Sequence, residues 1–577
     1  MKTQISVGID LGTTFSSAAY VNENGQPEII PNESQQDAIS LPSVVFYESE
    51  KSIVVGDPAI TEAEVSPDKV IRSAKRFIGE DYEPPSGVPQ DETPVKFQSK
   101  ILKAIKKYIE DHSNGYEIKN AVITVPAYFN SNRVNLTREA AKRADIDVLE
   151  IINEPMAAAI YYCAGYHPEN KKILVYDLGG GTFDTVIIEL RIEDGKTSIV
   201  TLADDGNHQL GGDDWDKRLM SLLLKKAREA NDEVPYDVDE MEPDDRQKLW
   251  KKANDLKRAL GETNEKSVRT IEFGDITVRN TTVSREEFEN ETSDLLLLTG
   301  SMVDNVLNMA NLTENDIDLV LLVGGSTFMP MVQHYVNEKF GEEKVKLNKP
   351  NLAVAYGAAI YAQNMDYYKE INNPNQTNLV NAKTQSESGS TDWLPENEGD
   401  HTREGPKTPP AFGDIEIKVN ASHSLGVRTR INGKPYVTNI IYKGDEYPIE
   451  VTREEFISPS DGGFSAVFYE NTNVDRDSDI EMAENPNATG DDDYCIPLDS
   501  RDTMEYLGKL IFNDERIKAE DQVKVTIIAS QSGSSAIVEH VNTGVSDTLQ
   551  FKNKHTSTEE EIERDKKELD STTVMTD

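Results

Sequence analysis

Short aliphatic and β-branched runs alternate with amphipathic stretches over roughly the first two thirds of the chain. Ala121-Val-Ile-Thr-Val125, Ile173-Leu-Val-Tyr176 and Leu319-Val-Leu-Leu-Val323 have the length and composition of strands in a buried sheet. Between them, Lys100 to Glu110 and Arg246 to Leu260 set apolar residues at helical spacing and leave charges on the remaining faces. This alternation predicts an α/β region over residues 1–366. The pattern lapses from 367 to 412. From about Tyr368 to Pro410 Asn, Ser, Thr, Pro and Gly prevail, and Trp393 is the only large buried-type residue past the opening tyrosines. Such a stretch buries too little apolar surface to offset its ordering entropy, which predicts a flexible linker.

A two-residue period takes over from 413 to 553. Ile415-Glu-Ile-Lys-Val419, Gln522-Val-Lys-Val-Thr-Ile-Ile528 and Ala536-Ile-Val-Glu-His-Val541 lie between turn signals such as Asn432-Gly433 and Gly462-Gly463, predicting an all-β region. Inside it, residues 471–493 form an acidic, Asn-rich insertion expected to be a mobile loop. Residues 554–577 read as a short charged tail. Ser557 to Leu569 has almost no apolar face, so one solvated helix is expected there.

Length and charge narrow the classes. The 577 residues exceed what one hydrophobic core supports, so several domains are expected. The 103 acidic side chains outnumber the 60 basic ones, for a net charge of -43. That field repels phosphate backbones and anionic lipid and argues against nucleic acid or a membrane as partner. The two cysteines, Cys163 and Cys495, are too few and too far apart for a disulfide framework, which suits a reducing compartment. No apolar run is long enough to span a bilayer, and no secretory pattern precedes the strand-like Ile5 to Ile9. A cytoplasmic protein is the expectation.

Three glycine-bearing turns follow hydrophobic strands and carry the candidate chemistry. In Gly8-Ile-Asp-Leu-Gly-Thr-Thr-Phe15 a tight turn needs Gly12, while Thr13, Thr14 and the backbone N–H groups can cradle phosphate oxygens. Asp10 ends the strand, where it can bind Mg2+ directly or through water. Tyr176-Asp-Leu-Gly-Gly-Gly-Thr-Phe-Asp184 repeats that logic and adds Asp184. In Leu322-Val-Gly-Gly-Ser-Thr-Phe-Met-Pro330, Gly324 and Gly325 permit close approach of a nucleoside. One such turn is weak evidence, because glycine-rich strand-to-helix connections are common. Two matching turns followed by a third point to a duplicated α/β unit holding phosphate between two lobes. Neither a Walker-type P-loop nor a Gly-x-Gly-x-x-Gly fingerprint occurs.

With these turns and with Ala74-Lys-Arg-Phe-Ile-Gly79, Val125-Pro-Ala-Tyr-Phe-Asn130, Ile151-Ile-Asn-Glu-Pro-Met-Ala-Ala-Ala159, Leu210-Gly-Gly-Asp-Asp-Trp215 and Ala353-Val-Ala-Tyr-Gly-Ala-Ala359, the chain resembles the DnaK family of seventy-kilodalton heat-shock chaperones. The resemblance covers nearly all of residues 1–365. It is thinner in the β-region, resting on Ser424-Leu-Gly426, Tyr506-Leu-Gly-Lys509 and the strands from Val523 to Phe551. It implies a two-lobed, actin-like ATPase of duplicated ribonuclease-H-like units, followed by a β-sandwich that binds peptides. It implies ATP or ADP with Mg2+, and K+ as an accompanying cation. Asp10 and Asp177 would hold hydrated Mg2+, with Asp184 completing the polar shell. Lys75 would reach the γ-phosphate, and Thr182 and Glu154 would orient the attacking water. Gly12, Thr13, Thr14, Phe15, Gly179, Gly180 and Gly181 would surround the phosphates, and Lys257, Arg258, Gly261, Gly324, Gly325 and Ser326 the nucleoside. The implied partners are extended or unfolded peptide clients, a J-domain co-chaperone and a nucleotide exchange factor.

Several positions depart from the family pattern. Asn254 stands where a ribose-binding acid is usual, and Phe328 where an arginine is usual, so adenine is expected between Arg258 and Phe328. Asp414-Ile-Glu-Ile-Lys-Val419 alternates where the family linker is a leucine run, and one face can dock as an added strand. Arg430 falls where an apolar residue bridges the peptide groove, which would suit a more acidic client. The charged tail does not supply the family's helical lid, so bound peptide is expected to exchange quickly. Two other readings differ in class: a nucleotide-sensing co-chaperone or binding module with little ATP turnover, and a small-molecule kinase on the same fold, which the β-region disfavours.

Overall fold

The strand Thr3–Leu11 sets Ile5, Val7, Ile9 and Leu11 on one face, ends its other face on Asp10, and has a neighbour on each side. The computed structural model describes residues 2–32, 39–111, 115–165, 170–193, 196–371, 414–421, 423–431, 434–471, 504–530, 533–551 and 556–576. The expected linker from 372 onward, Trp393, the Asn432-Gly433 turn, nearly all of the acidic insertion and Cys495 lie outside these residues, as does the side chain of Arg430.

Two sheets repeat one wiring. The first runs Pro27–Ile29, Phe15–Val21, Thr3–Leu11, Tyr116–Val125, Val148–Asn153, with Leu41–Pro42 attached to the second of these. The second contains Lys196–Asn207, Phe183–Glu193, Lys171–Leu178, Leu319–Val323, Val345–Lys346 in the same order. In each, three sequential strands pair antiparallel and two later strands add in parallel beyond the first. This repetition puts Asp10 and Asp177 at equivalent ends of equivalent strands.

Between the sheets lie helices Ala353–Ile371, packed on the first, and Glu154–Gly165, packed on the second. They cross so closely that a Cβ on Gly357 would sit 1.6 Å from the Ala157 carbonyl oxygen. The predicted amphipathic helices appear as Pro94–Asp111 and Pro243–Glu262. Cys163 is a buried free thiol, pushed up to about 12 by desolvation.

The later strands form two four-stranded antiparallel sheets. One is Lys434–Ile441, Ser424–Ile431, Gly463–Asn471, Glu505–Asn513; the other is Ile449–Ile457, Gln522–Ser530, Gly533–His540, Val545–Gln550. Val427, Phe468 and Phe512 of one and Val525, Ile527 and Val538 of the other share a core. Strand Asp414–Asn420 joins the second lobe, parallel to Lys196–Asn207, and continues antiparallel into Glu446–Tyr447. Its Ile415 is buried, as expected for an alternating segment docked on one face.

The tail is not a solvated helix. Helix Glu559–Ser571 starts with a capping box between Thr558 and Glu561 and buries Ile562, Asp565 and Leu569. Strand Thr573–Met575 then adds in parallel to Ser52–Val55. Two apolar residues seven apart with an acid between them make a stripe too narrow to stand out against so many charges. No described helix is long and apolar enough to cross a membrane.

Candidate functional site

The two phosphate-type turns meet face to face. A Cβ on Gly180 would fall 2.1 Å from Thr14 Oγ1, and one on Gly181 2.4 Å from Thr13 Cγ2. Only glycine lets the turn of one lobe approach the threonines of the other this closely. Thr182 closes the second turn by accepting at its carbonyl from Gly179 N, 3.0 Å away. The N-terminus of helix Gly212–Ala230 backs this turn, through Gly212 N to Gly179 O at 3.0 Å and Asp213 N to Gly180 O at 2.7 Å. Gly324, with φ of 82°, lies against the carbonyl of Leu178, and Ser326 Oγ donates to Gly179 O at 2.8 Å. All three turns predicted from sequence therefore line one cleft.

Lys75 lies on the short 3-10 turn Ala74–Phe77 and is 2% exposed. Its Nζ donates to Leu11 O at 2.5 Å and to Glu154 Oε1 at 2.8 Å, and stands 5.7 Å from the centre of the Phe129 ring. Two of the three ammonium donors are thus held by protein, leaving one for a ligand. Glu154 opens helix Glu154–Gly165, where the positive helix end favours a carboxylate.

Three aspartates share the floor. Asp10 takes a 3.4 Å bond from Thr124 Oγ1, and Asp177 faces Asp184 across the hairpin in register. Burial, reinforced by Glu154 and opposed by Lys75, pushes Asp10 up to about 7. Burial also drives Asp177 well above the carboxylate range, with Glu154, Asp184 and Asp10 adding repulsion. Asp184 is raised by the same burial and by Glu154. Asp184 Oδ1 and Thr14 Oγ1 are buried without a protein partner. Mutually repelling carboxylates and orphaned oxygens beside a phosphate-sized cradle fit a hydrated cation with a polyphosphate. Among the described residues no three Asp, Glu, His or Cys side chains are grouped closely enough to hold an ion by themselves.

On the nucleoside side, Lys257 Nζ donates to Gly212 O at 2.7 Å and pairs with Asp216 at 2.9 Å. Asn254 Nδ2 donates to the same Asp216 carboxylate at 2.8 Å. The ring beneath the Arg258 guanidinium is Phe15, at 5.6 Å. Phe328 is 49% exposed and does not turn into the core. Gly261 and Gly325 border open space.

Sequence reading missed several neighbours. Asp216 supplies a carboxylate beside Asn254, and Phe129 supports Lys75. Arg76 pairs with Asp214 at 3.4 Å, close enough to Gly181 that a Cβ there would lie 2.9 Å from its Nε. Arg72 lies over Trp250 at 4.4 Å, and Lys251 pairs with Glu64, so both join the two lobes. Arg76 and Phe129 sit inside quoted motifs, beside the residues singled out. Asp216 and Trp250 carry no signal of their own.

A family profile described as Hsp70 protein matches residues 6–91 and 87–371. The chaperone protein DnaK of Thermotoga neapolitana is 39% identical over 369 residues, covering 63% of this chain and 59% of that protein. The chaperone protein DnaK of Thermosipho melanesiensis is 39% identical over 368 residues, with the same coverage. The chain thus spans less than two thirds of the length of the curated relatives it matches.

Proposed function

The chain belongs to the Hsp70 family, and from that premise we propose that it is an ATP-dependent molecular chaperone that hydrolyses ATP in the cleft and binds extended peptide segments through its β-region. The observation that carries the ATPase half is the buried Lys75–Glu154 pair at 2.8 Å, set among three aspartates and beneath two interlocked glycine turns. In this reading the actin-like ATPase domain runs past the expected boundary at 366 to the end of helix Ala353–Ile371, 372–412 are a linker, 413–553 a β-sandwich peptide domain with its insertion at 471–493, and 554–577 the tail. A buried thiol and an acidic surface suit a cytoplasmic setting. A J-domain co-chaperone and a nucleotide exchange factor are proposed as partners from family membership alone.

The chemistry proposed is attack of water on the γ-phosphorus, breaking its bond to the β–γ bridging oxygen and releasing ADP and inorganic phosphate. Thr13, Thr14 and the backbone of Gly179 to Gly181 would hold the phosphates. Asp10, Asp177 and Asp184 would hold hydrated Mg2+, which supplies neutralising charge. The Lys75 ammonium would stabilise charge gathering on the γ-phosphoryl oxygens, and Glu154 and Thr182 would hold the water in line. Lys257, Arg258 and the Phe15 and Phe328 rings would receive the nucleoside, with Asn254 facing the ribose and held from behind by the buried Asp216.

The test is release of a labelled extended, apolar peptide from the full chain with Mg-ATP and with Mg-ADP. The proposal expects release at least about tenfold faster in one nucleotide state, a coupling of roughly 1.4 kcal/mol. A peptide that binds in neither state would contradict the chaperone half.

A further inference from the structure

The tail is built into the first lobe. Arg143, at the end of helix Ser131–Arg143, is 2% exposed, and its guanidinium is divided between the tail and its own helix. Nε donates to Asp565 at 3.1 Å, Nη2 to Ser557 Oγ at 2.6 Å and Nη1 to Glu139 at 3.3 Å. Ser557 N donates back to Glu139. Around this buried knot, Lys103 pairs with Asp570, Lys566 with Asp145 and Lys142 with Glu559. Beyond the helix, Val574 enters the core of the first lobe, in register with Ile53.

The same helix meets the β-region at its other end. Asn130, its N-cap, donates to Glu505 at 2.7 Å, and Ser131 is hydrogen-bonded to the buried carboxylate of Glu470. Farther along, Asn135 lies 3.6 Å from where a Cβ on Gly533 would be. One rigid element is therefore gripped by the β-region at its start and by the tail at its finish. Phe551 is fixed in the β-region core against Phe468, and Ser557 at Arg143. Even fully extended, the chain between them reaches only about 20 Å.

We propose that residues 556–576 are an intramolecular strap, adding a strand to the first lobe and keeping the β-region docked there whichever nucleotide is bound. The strap is the counterpart of strand Asp414–Asn420, which joins the β-region to the sheet of the second lobe. The β-region is thereby anchored to both lobes, and a rotation of one lobe against the other acts on it directly. The strap does not rest on the ATPase reading, since its contacts involve no cleft residue.

Hydrogen exchange of the full chain, measured without nucleotide, with ADP and with ATP, tests this. Amides of 52–55 and 573–575 should be protected in all three conditions to within about threefold. Val574→Asp, or Asp565→Lys where the first variant disturbs the lobe, should raise exchange at 573–575 and at 130–135 and 504–507 by about tenfold or more. Unchanged exchange in strands Thr3–Leu11 and Lys171–Leu178 would show that both lobes remain folded. Release of 573–575 by ATP alone would overturn the proposal. So would an unseated tail that leaves 130–135 and 504–507 as protected as before.

Discussion

Asp10 is the residue at which the charge balance of the cleft is most open to measurement. Its carboxyl is pushed up to about 7 chiefly by burial, so near neutral pH the chain without ligand holds a proton there that an ordinary carboxylate has lost. The folded value lies above the unfolded one, so its contribution to stability is present at low pH and lost as pH rises toward 7. A cation favours the ionised form, so Mg-nucleotide bound as proposed would displace the proton. Calorimetry in buffers of different ionisation enthalpy should show proton uptake by the buffer near pH 6.5. Affinity should fall by up to about tenfold for each pH unit below 7. Asp10→Asn should abolish the proton release. Asp10 and Asp177 were legible because each follows a hydrophobic run and precedes Leu-Gly. Asp216 was not, because its importance arises only when helix Gly212–Ala230 comes to rest beside Asn254 and Lys257.

Among elements, the crossing of helices Glu154–Gly165 and Ala353–Ile371 leaves no room for a side chain at Gly357, where a Cβ would meet the backbone of Ala157 at 1.6 Å. Gly357→Val should destabilise the fold by at least about 3 kcal/mol, read as a lowered Tm or denaturant midpoint. The junction of helix Ser131–Arg143 with the β-region is pH-sensitive in a defined direction. Burial, with Glu505 nearby, pushes Glu470 up to about 8, against hydrogen bonds from Ser131 and the Arg133 charge. Docking therefore favours the protonated acid and weakens as pH rises from about 4.5 to about 8. Exchange at 130–135 should accelerate between about pH 5 and 8 beyond the intrinsic rate and level off above 8, and Glu470→Gln should remove that excess. Buried strands and long amphipathic helices were legible from period alone. The tail was not, because its burial depends on Arg143 and on the free edge of Ser52–Val55, both far away in sequence.

Across the whole molecule, the repeated sheet wiring makes two lobes, and the cleft between them is bridged near the site by Arg72 over Trp250 and by Lys251 with Glu64. Nucleotide bound as proposed would leave past these contacts. Trp250→Ala should raise the dissociation rate of ADP by about threefold to thirtyfold, the range of one cation–π contact, as followed with a fluorescent analogue. The duplication was legible from two matching Asp-Leu-Gly turns, whereas the bridges were not, since their partners lie in different lobes. The three turns, the three aspartates and the Lys75–Glu154 pair are the features from which ATP hydrolysis in the cleft is proposed. Single-turnover cleavage of radiolabelled ATP by the full chain and by Lys75→Ala tests that claim most directly. Lys75-dependent release of inorganic phosphate is expected, slowed by about 10²–10³-fold in the variant. Equal rates in the two proteins, or no cleavage by either, would contradict it and leave a module that binds nucleotide without turning it over.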